Sequence, residues 1–250
     1  MGNPVLSDPE LRRFKTQIEI TGIGNEGQEK LKLAKVAVVG SGGTGASVLQ
    51  NLASFGLGYL GIIDDEIVNE SNIQRQTLYG GTDLGKLKTI ISRQHLQDLF
   101  PLNHYEIINL KLSSENAEKI LGQFSLIVDA TNDSHSSLII NDACVKMNKP
   151  WVFGHVSGNV VRVSVFNYMG GPSYRCLGSK DSSELQNLGS ISSTYALAGV
   201  FISNEVFKIT TNQPNTLSGK LLTFDSFTYM NEIQQVIRVE SNFRLSGSLV

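Results

Sequence analysis

A glycine-rich segment between two apolar runs is the part of this sequence best suited to chemistry. Residues 40–45 follow the apolar run 36–39, and Asp64 ends a second apolar run 19 residues after position 45. Glycines permit a tight turn and a close approach of the backbone to phosphate, and the free N–H groups of a helix beginning near Thr44 would face the anion. Asp64 can accept a hydrogen bond from a ribose hydroxyl. The pattern predicts a nucleotide site, with a turn that serves only packing as the alternative. Its loop residues are Gly40, Ser41, Gly42, Gly43, Thr44 and Gly45.

The stretch after Asp64 carries further residues that suit a polyphosphate: Asp65, Asn72, Arg75, Gln76, Lys86 and Lys88. Arg75 offers a fork of donors to phosphate oxygens, and Lys88 a mobile point charge. With the glycine-rich loop they could clamp a triphosphate for attack at the α-phosphorus and stabilise the departing pyrophosphate. An NAD-linked oxidoreductase is a further alternative. It would need only Asp64 in this part of the chain, and Asn72, Arg75 and Lys88 would have no role in it. A solvated polar loop is the remaining alternative.

Hydrophobic periodicity predicts the elements that position these residues. Strands are expected at 36–39, 59–64, 106–110, 124–130 and 151–153, and helices at 46–55, 84–100, 116–121 and 134–148. Beyond position 153 the pattern predicts an antiparallel strand at 159–166, a polar loop at 179–188, a helix at 193–210, a strand at 221–227 and a last alternating stretch at 236–240. The fold class is therefore α/β: a Rossmann-like, doubly wound, mainly parallel sheet with an antiparallel C-terminal elaboration. Residues 1–35 are expected to form an N-terminal helical arm, and residues 36–250 a single nucleotide-binding domain.

Composition excludes several classes of protein. Of the 250 residues 40% are apolar and 18% charged, and the net charge of −2 does not suggest binding to nucleic acid or to an anionic membrane. No apolar run is long enough to span a bilayer, and the N-terminus has no signal-peptide character, so a cytoplasmic location is expected. The two cysteines, Cys144 and Cys176, cannot build a disulfide framework or a four-thiolate zinc site. Cys144 lies in an apolar segment and is expected to be a buried helix residue.

Several motifs together resemble the ThiF/MoeB/HesA group of the ubiquitin-activating (E1-like) enzyme superfamily. The similarity extends over about residues 10–230, and its motifs lie at 40–45, 64–68, 71–76, 84–88, 128–133, 141–144 and 149–154. The resemblance implies an adenylation domain that binds ATP and Mg²⁺ and adenylates the C-terminal carboxylate of a small ubiquitin-like (β-grasp) protein or peptide. It also implies a homodimer.

The resemblance carries roles over to particular residues. Asp64 would hold the ribose, Asn72, Arg75 and Lys88 would contact the phosphates, and the glycine-rich loop would lie under the adenylate. Asp133 would bind magnesium, with Asn132 or Asp129 as candidates to assist. The expected catalytic set is Arg75, Lys88, Asn72 and Asp133. The expected nucleotide-binding set adds the loop residues, Asp64, Asp65, Gln76, Asp129 and Asn132.

The chain also departs from the family pattern. The usual Thr-Asp-Asn reads Thr131-Asn132-Asp133, and Ser137 stands where an arginine is common. Thr16 stands where the family has the second arginine of the N-terminal arm, and Lys15 or Arg12 could take the place of that arginine. Of the paired zinc motifs only Cys176 remains, so no zinc is expected, and no cysteine occurs at 182–193, where many relatives carry an acceptor. The sequence thus favours an adenylyltransferase without an enzyme thioester. The alternative is a degenerate homologue that keeps the fold, with or without nucleotide binding, and only scaffolds a partner.

Overall fold

One mixed sheet with helices on both faces makes up the framework of the molecule. The computed structural model describes residues 6–178 and 188–244. Its strands are β1 (Lys35–Val39), β2 (Tyr59–Ile63), β3 (His104–Ile108), β4 (Leu126–Asp129), β5 (Trp151–Ser157), β6 (Val160–Phe166), β7 (Lys220–Asp225) and β8 (Asn231–Gln235). The α-helices of the described residues are α1 (Asp8–Arg13), α2 (Lys15–Ile18), α3 (Gly24–Leu33), α4 (Gly43–Ser54), α5 (Glu70–Ile73), α6 (Lys88–Leu99), α7 (Ala117–Leu121), α8 (Ser134–Lys146) and α9 (Ser192–Thr211).

The strand order places a topological switch beside β1. The order is β3-β2-β1-β4-β5-β6-β7-β8, with parallel pairing from β3 to β5 and antiparallel pairing from β5 to β8. The chain moves outward on one side of β1 and then returns to its other side, so β1 lies between β2 and β4. In parallel registers, Val39 is opposite both Ile63 and Asp129. Their following loops therefore meet at one edge of the sheet, which is where such folds bind ligands. The predicted fold class is confirmed.

The central strands β1, β2 and β4 are buried on both faces of the sheet, as expected of parallel strands. Successive side chains of a strand point to opposite faces, so Val36 and Val38 join one apolar cluster while Ala37 and Val39 join the other. The first cluster is completed mainly by α4, α6 and α9, and the second by α7 and α8. Cys144 belongs to the second cluster and is fully buried, as predicted.

The N-terminal residues pack onto the end of α4. Between residues 6 and 35 they form the three helices α1, α2 and α3. Phe14 is buried, and the amides of Gln17 and Gln28 both donate to the carbonyl oxygen of Phe55 at 3.0 Å. The division of the chain at residue 35 stays a prediction. In the described part of the chain, no helix combines the length and apolar character that a membrane crossing requires.

Three predicted element positions were wrong. The helix expected from Leu84 begins only at Lys88, because the residues before it pair with the loop after β2, where Gly85 N–H donates to Val68 O at 2.9 Å. The strand expected at 106–110 lies two residues earlier, at β3. Among the described residues the last strand is β8, which lies before the stretch 236–240 where a strand was expected. All five residues of β8 are exposed, so its sequence shows no apolar alternation that would predict it. Of the polar loop predicted at 179–188, all but the last position lie outside the described residues.

Candidate active site

A cleft of about 440 Å³ opens at the carboxyl ends of β1, β2 and β4. Eleven of the predicted site residues line it: Gly40, Gly42, Gly43, Thr44, Asp64, Asp65, Arg75, Gln76, Lys88, Asn132 and Asp133. Four others are not among the lining residues: Ser41, Gly45, Asn72 and Asp129. The volume is within the usual range for small-molecule sites, roughly 300–1,000 Å³.

The turn between β1 and α4 brings the start of the helix to the floor of this cleft. Gly40 has φ +90°, a conformation that favours glycine, and its N–H donates to Ile63 O at 2.8 Å. A Cβ added at Gly45 would lie 2.0 Å from Gly40 O, so only glycine permits this close packing. Ala46 N–H donates to Gly42 O, and the preceding N–H groups of α4 lack partners within the helix. Such a helix terminus attracts an anion.

Asp64 is fixed between the two loops that form the cleft edge. One of its carboxylate oxygens accepts from Ser41 N–H at 2.7 Å and the other from Glu66 N–H at 2.8 Å. Ser41 is fully buried, and its carbonyl oxygen accepts from Tyr79 Oη–H at 2.8 Å. The half-buried carboxylate keeps lone pairs for a sugar hydroxyl, while Ser41 contributes through its backbone.

Two polar groups of the cleft wall have no hydrogen-bond partner within the described protein. They are the hydroxyl of Thr44 and the side-chain oxygen of Gln76, on residues that are 2% and 4% exposed. A buried polar group without a partner costs about 1–3 kcal/mol. A polar ligand in the cleft would remove that cost, so the lining fits a nucleotide.

The basic residues lie where the loop after β2 meets α6. Lys88 is 1% exposed, and its Nζ is 2.5 Å from a carboxylate oxygen of Glu66. Lys88 N–H donates to Glu66 O at 3.0 Å, which joins the loop to the start of the helix. The Arg75 guanidinium donates to Ser71 O at 2.6 Å. Asn72 is buried, and its Oδ1 accepts from Asn69 N–H at 3.2 Å, so it shapes the loop from outside the cleft.

The three residues expected near the metal have different surroundings. Asp133 lines the cleft and caps α8, because its carboxylate accepts from Ser136 N–H at 2.9 Å. Burial alone would raise the pKa of Asp133, but the hydrogen bonds from Ser136 and other neighbours outweigh it and lower the pKa. Asn132 has φ +59°, and its Oδ1 accepts from Val156 N–H at 2.7 Å, so this oxygen is used by β5.

Asp129 is the third of these residues and has no exposed surface. Its carboxylate accepts from Ser137 Oγ at 2.5 Å and from Thr131 N–H and Oγ1 at 3.0 and 2.7 Å. Burial raises the pKa of Asp129 from 3.8 to about 6, because it disfavours the charged carboxylate more than these hydrogen bonds favour it. Asp129 thus holds the loop before Asp133 from behind the cleft. Ser137 partners this buried acid at the position where an arginine is common in the family.

Asp129 gives the stability of the protein a characteristic dependence on pH. The folded state takes up this proton near pH 6 and the unfolded chain only near 3.8, so this group stabilises the fold progressively as the pH falls between those values. Relative to Asp129→Asn, we expect the wild type to gain roughly 2 kcal/mol of unfolding free energy from about pH 7.5 to about pH 4.5. Urea unfolding of both proteins at the two pH values measures the change. A difference that does not vary with pH would show that the pKa is not raised.

Several lining residues were not identified from the sequence: Glu66, Leu110, Lys111, Leu112, Thr131, Ser136 and Tyr195. Glu66 carried a usable signal, since it directly follows two acids at the end of a strand. Tyr195 carried none, because it lies far along the chain and reaches the cleft only through the packing of α9 on α4.

The fold and the cleft define a Rossmann-like protein with a site for an anionic nucleotide. The sequence model of the ThiF family matches residues 14–244, and the chain belongs to this family. A sulfur carrier protein adenylyltransferase from Thermus thermophilus is 36% identical over 227 residues, which cover 87% of this chain and 84% of that protein. A probable molybdopterin-synthase adenylyltransferase from Porphyra purpurea is 33% identical over 237 residues, which cover 92% of this chain but only 62% of that protein.

Solved structures share the fold at lower identity. PaaA aligns with a TM-score of 0.82 and 23% identity over 96% of this chain and 77% of that one. Escherichia coli MccB, crystallised with ATP, aligns with a TM-score of 0.80 and 21% identity over 95% of this chain and 73% of that one. At this level of identity the likeness shows the fold alone.

Proposed function

We propose that the protein is an ATP-dependent adenylyltransferase that activates the C-terminal carboxylate of a small ubiquitin-like protein or peptide as an acyl-adenylate. The observation that carries this proposal is the meeting of the α4 N-terminus, Arg75 and Lys88 in one cleft, with Asp64 at its edge. Two relatives named as adenylyltransferases, of a sulfur carrier protein and of molybdopterin synthase, support a substrate of the sulfur-carrier type.

The cleft suits a reaction that needs alignment and charge neutralisation. A carboxylate oxygen of the substrate attacks the α-phosphorus of ATP, a P–O bond forms, and the bond to the leaving pyrophosphate breaks. No proton transfer is required. The N–H groups at the start of α4 and the side chains of Arg75 and Lys88 would stabilise the phosphoryl charge. The protein needs no nucleophile for this step.

Carboxylates in the cleft fit a magnesium ion that is bound mainly by the nucleotide. Within residues 6–178 and 188–244, no three His, Cys, Asp or Glu side chains form a group that could hold a metal. Magnesium, however, is usually bound through one or two carboxylates together with substrate phosphates. Asp133 would hold it, with Asp64, Asp65 and Glu66 also lining the cleft. When bound, the ion would neutralise phosphate charge.

Asp133→Asn separates the metal role of this residue from its structural role. Asparagine is as good a helix N-cap as aspartate, so the free energy of unfolding is expected to change by less than about 0.5 kcal/mol. Loss of the charge should raise the Mg²⁺ concentration needed for half-maximal adenylation by about tenfold or more. A magnesium titration of the rate, together with a thermal melt, tests both expectations. An unchanged magnesium requirement would remove Asp133 from the metal site.

Cys176 is proposed to be an ordinary thiol. It is half-buried outside the cleft, and its Sγ accepts from Val239 N–H at 3.4 Å. Burial acts to raise the pKa of Cys176, but hydrogen bonds from Ser173, Val239 and Asn242 outweigh it and lower the pKa. Cys176→Ser is expected to keep the rate of adenylate formation within about twofold, because adenylation needs no thiol.

The proposal is tested with a β-grasp carrier protein that ends in Gly-Gly as the substrate. Wild type and Cys176→Ser should both exchange labelled pyrophosphate into ATP, and only when the carrier and Mg²⁺ are present. Mass spectrometry should find no carrier thioester on either protein. A thioester on the wild type would overturn the assignment of Cys176. If MgATP binds but no carrier or peptide supports pyrophosphate exchange, the second candidate function, described next, would be favoured.

That second candidate is a nucleotide-binding scaffold for a partner protein. It is favoured by Asn132, which occupies the family's acidic position and gives its oxygen to the backbone of β5. Thr16, which stands where the family has the second arginine of the N-terminal arm, also favours the scaffold. A homodimer and a cytoplasmic location stay predictions from the sequence resemblance and composition.

A further inference from the structure

Tyr195 lies against the glycine-rich turn at the floor of the cleft. It is in the first turn of α9, is only 7% exposed, and lines the cleft beside Gly43 and Thr44. A Cβ added at Gly43 would be 2.7 Å from Cγ of the Tyr195 ring, so the ring packs directly on the first residue of α4. The aromatic ring therefore lies beside the helix end at which an anion is expected.

The packing of α9 on α4 holds this ring in place. Gly199 allows the two helices to approach closely, since a Cβ there would lie 2.2 Å from Ser47 Oγ. That hydroxyl in turn donates to Ala196 O at 3.2 Å, one residue after Tyr195. On its other side α9 contacts β5, where a Cβ at Gly154 would be 2.1 Å from Ile202 Cδ1. The side chain is thus positioned by two helices and a strand, which makes its placement rigid.

The hydroxyl of Tyr195 has no hydrogen-bond partner among the described residues. No hydrogen bond to it is formed by residues 6–178 or 188–244, although the ring is almost fully buried. The hydroxyl of Thr44 in the same wall is also without a partner. The Tyr195 hydroxyl, unlike that of Thr44, is not a fully buried atom, so it is free to donate to a ligand that enters the cleft, and the buried Thr44 hydroxyl would gain a partner from the same ligand.

We propose that Tyr195 is a positioning residue that donates its hydroxyl hydrogen bond to the α-phosphate of the bound nucleotide. This inference rests on the proposed function. The α-phosphate is the phosphate joined to the ribose, and the ribose is assigned to Asp64, which is bonded to Ser41 two residues before Gly43. The phosphate at the start of α4 is therefore the reacting one. Tyr195 lines the same cleft as Arg75 and Lys88 and would restrain this phosphate together with them.

Binding of AMP and of adenosine to Tyr195→Phe tests this role. Phenylalanine keeps the ring on Gly43 and removes only the hydroxyl. We expect the dissociation constant for AMP to rise by about tenfold or more, as for a hydrogen bond to a charged group. The constant for adenosine, which has no phosphate, should stay within about twofold because the nucleoside contacts are unchanged. Tyr229→Phe is the matched control, since Tyr229 is 74% exposed and does not line the cleft.

The outcomes separate this inference from the proposed function. If wild type and Tyr195→Phe bind AMP equally, the inference is wrong and the proposed function stands. An equal loss of AMP and adenosine affinity would mean that the hydroxyl supports the shape of the cleft, which also overturns the inference. If the wild type binds neither AMP nor MgATP, the proposed function itself fails. Thermal melts of both variants should match the wild type, because the ring packing is retained.

Discussion

Replacement of Lys88 by alanine or methionine is expected to lower kcat/KM for adenylation by a factor of about 100 to 1,000. The ammonium is buried at the end of the cleft, where a charge acts on phosphate far more strongly than it would in water. Methionine retains the apolar stem, so the methionine variant isolates the loss of charge. Its ion-pair partner Glu66 has a side chain that is 66% exposed, and water can hydrate this carboxylate once Lys88 is gone. Both variants should therefore fold. Arg75→Ala should act in the same direction.

The chain supplies a close control in Lys86. Its side chain is 54% exposed, is 3.8 Å from Asp83 and does not line the cleft. Calorimetric titration with MgATP should show binding by the wild type and by Lys86→Ala, and weakened binding by the Lys88 variants. If Lys88→Met retained full affinity and full adenylation activity, Lys88 would not be a phosphate ligand. Loss of binding in Lys86→Ala as well would point to a general effect of charge on the cleft.

Gly45→Ala is expected to destabilise the fold strongly. Alanine normally stabilises an exposed helix position by about 1 kcal/mol relative to glycine. Here its Cβ would lie 2.0 Å from Gly40 O, and neither the strand end nor the helix can move without opening the turn. We expect a net loss of about 2–3 kcal/mol and a melting temperature lower by roughly 5–10 °C. Differential scanning calorimetry of the purified variant measures both quantities.

Gly42→Ala is the matched comparison, because the same methyl group is added three residues earlier. Its nearest neighbour would be Gln76 Nε2 at 3.7 Å, an ordinary contact. The Gly42 variant should melt close to the wild-type temperature but bind MgATP more weakly, since the methyl group would enter the cleft. Equal melting temperatures for the Gly42 and Gly45 variants would contradict the packing role assigned to Gly45.

The order and type of most elements could be predicted because their signals are local. The buried strands β1, β2 and β4 are mainly apolar on both faces. Between β1 and α4 the glycines of residues 40–45 indicate a tight turn. Prediction failed where contacts with distant residues decide the structure. Leu87 continues the apolar pattern of α6, yet it forms a bridge with Ile67 instead of extending the helix. β8 exists because it pairs with β7, although each of its residues is exposed.

The sequence by itself determined the glycine-rich turn, Asp64 and the basic residues that follow, since their spacing within one strand–helix–strand unit brings them together. Only the tertiary structure decided which residues enter the cleft. Asp129 and Asn72 do not line it. The carboxylate of Asp129 accepts hydrogen bonds from Thr131 and Ser137, and the side chain of Asn72 accepts one from Asn69. Tyr195 enters it from a helix that is distant in sequence. The physical reason is that a short motif sets the path of its own backbone, whereas burial and hydrogen-bond partners depend on what the rest of the chain packs against it.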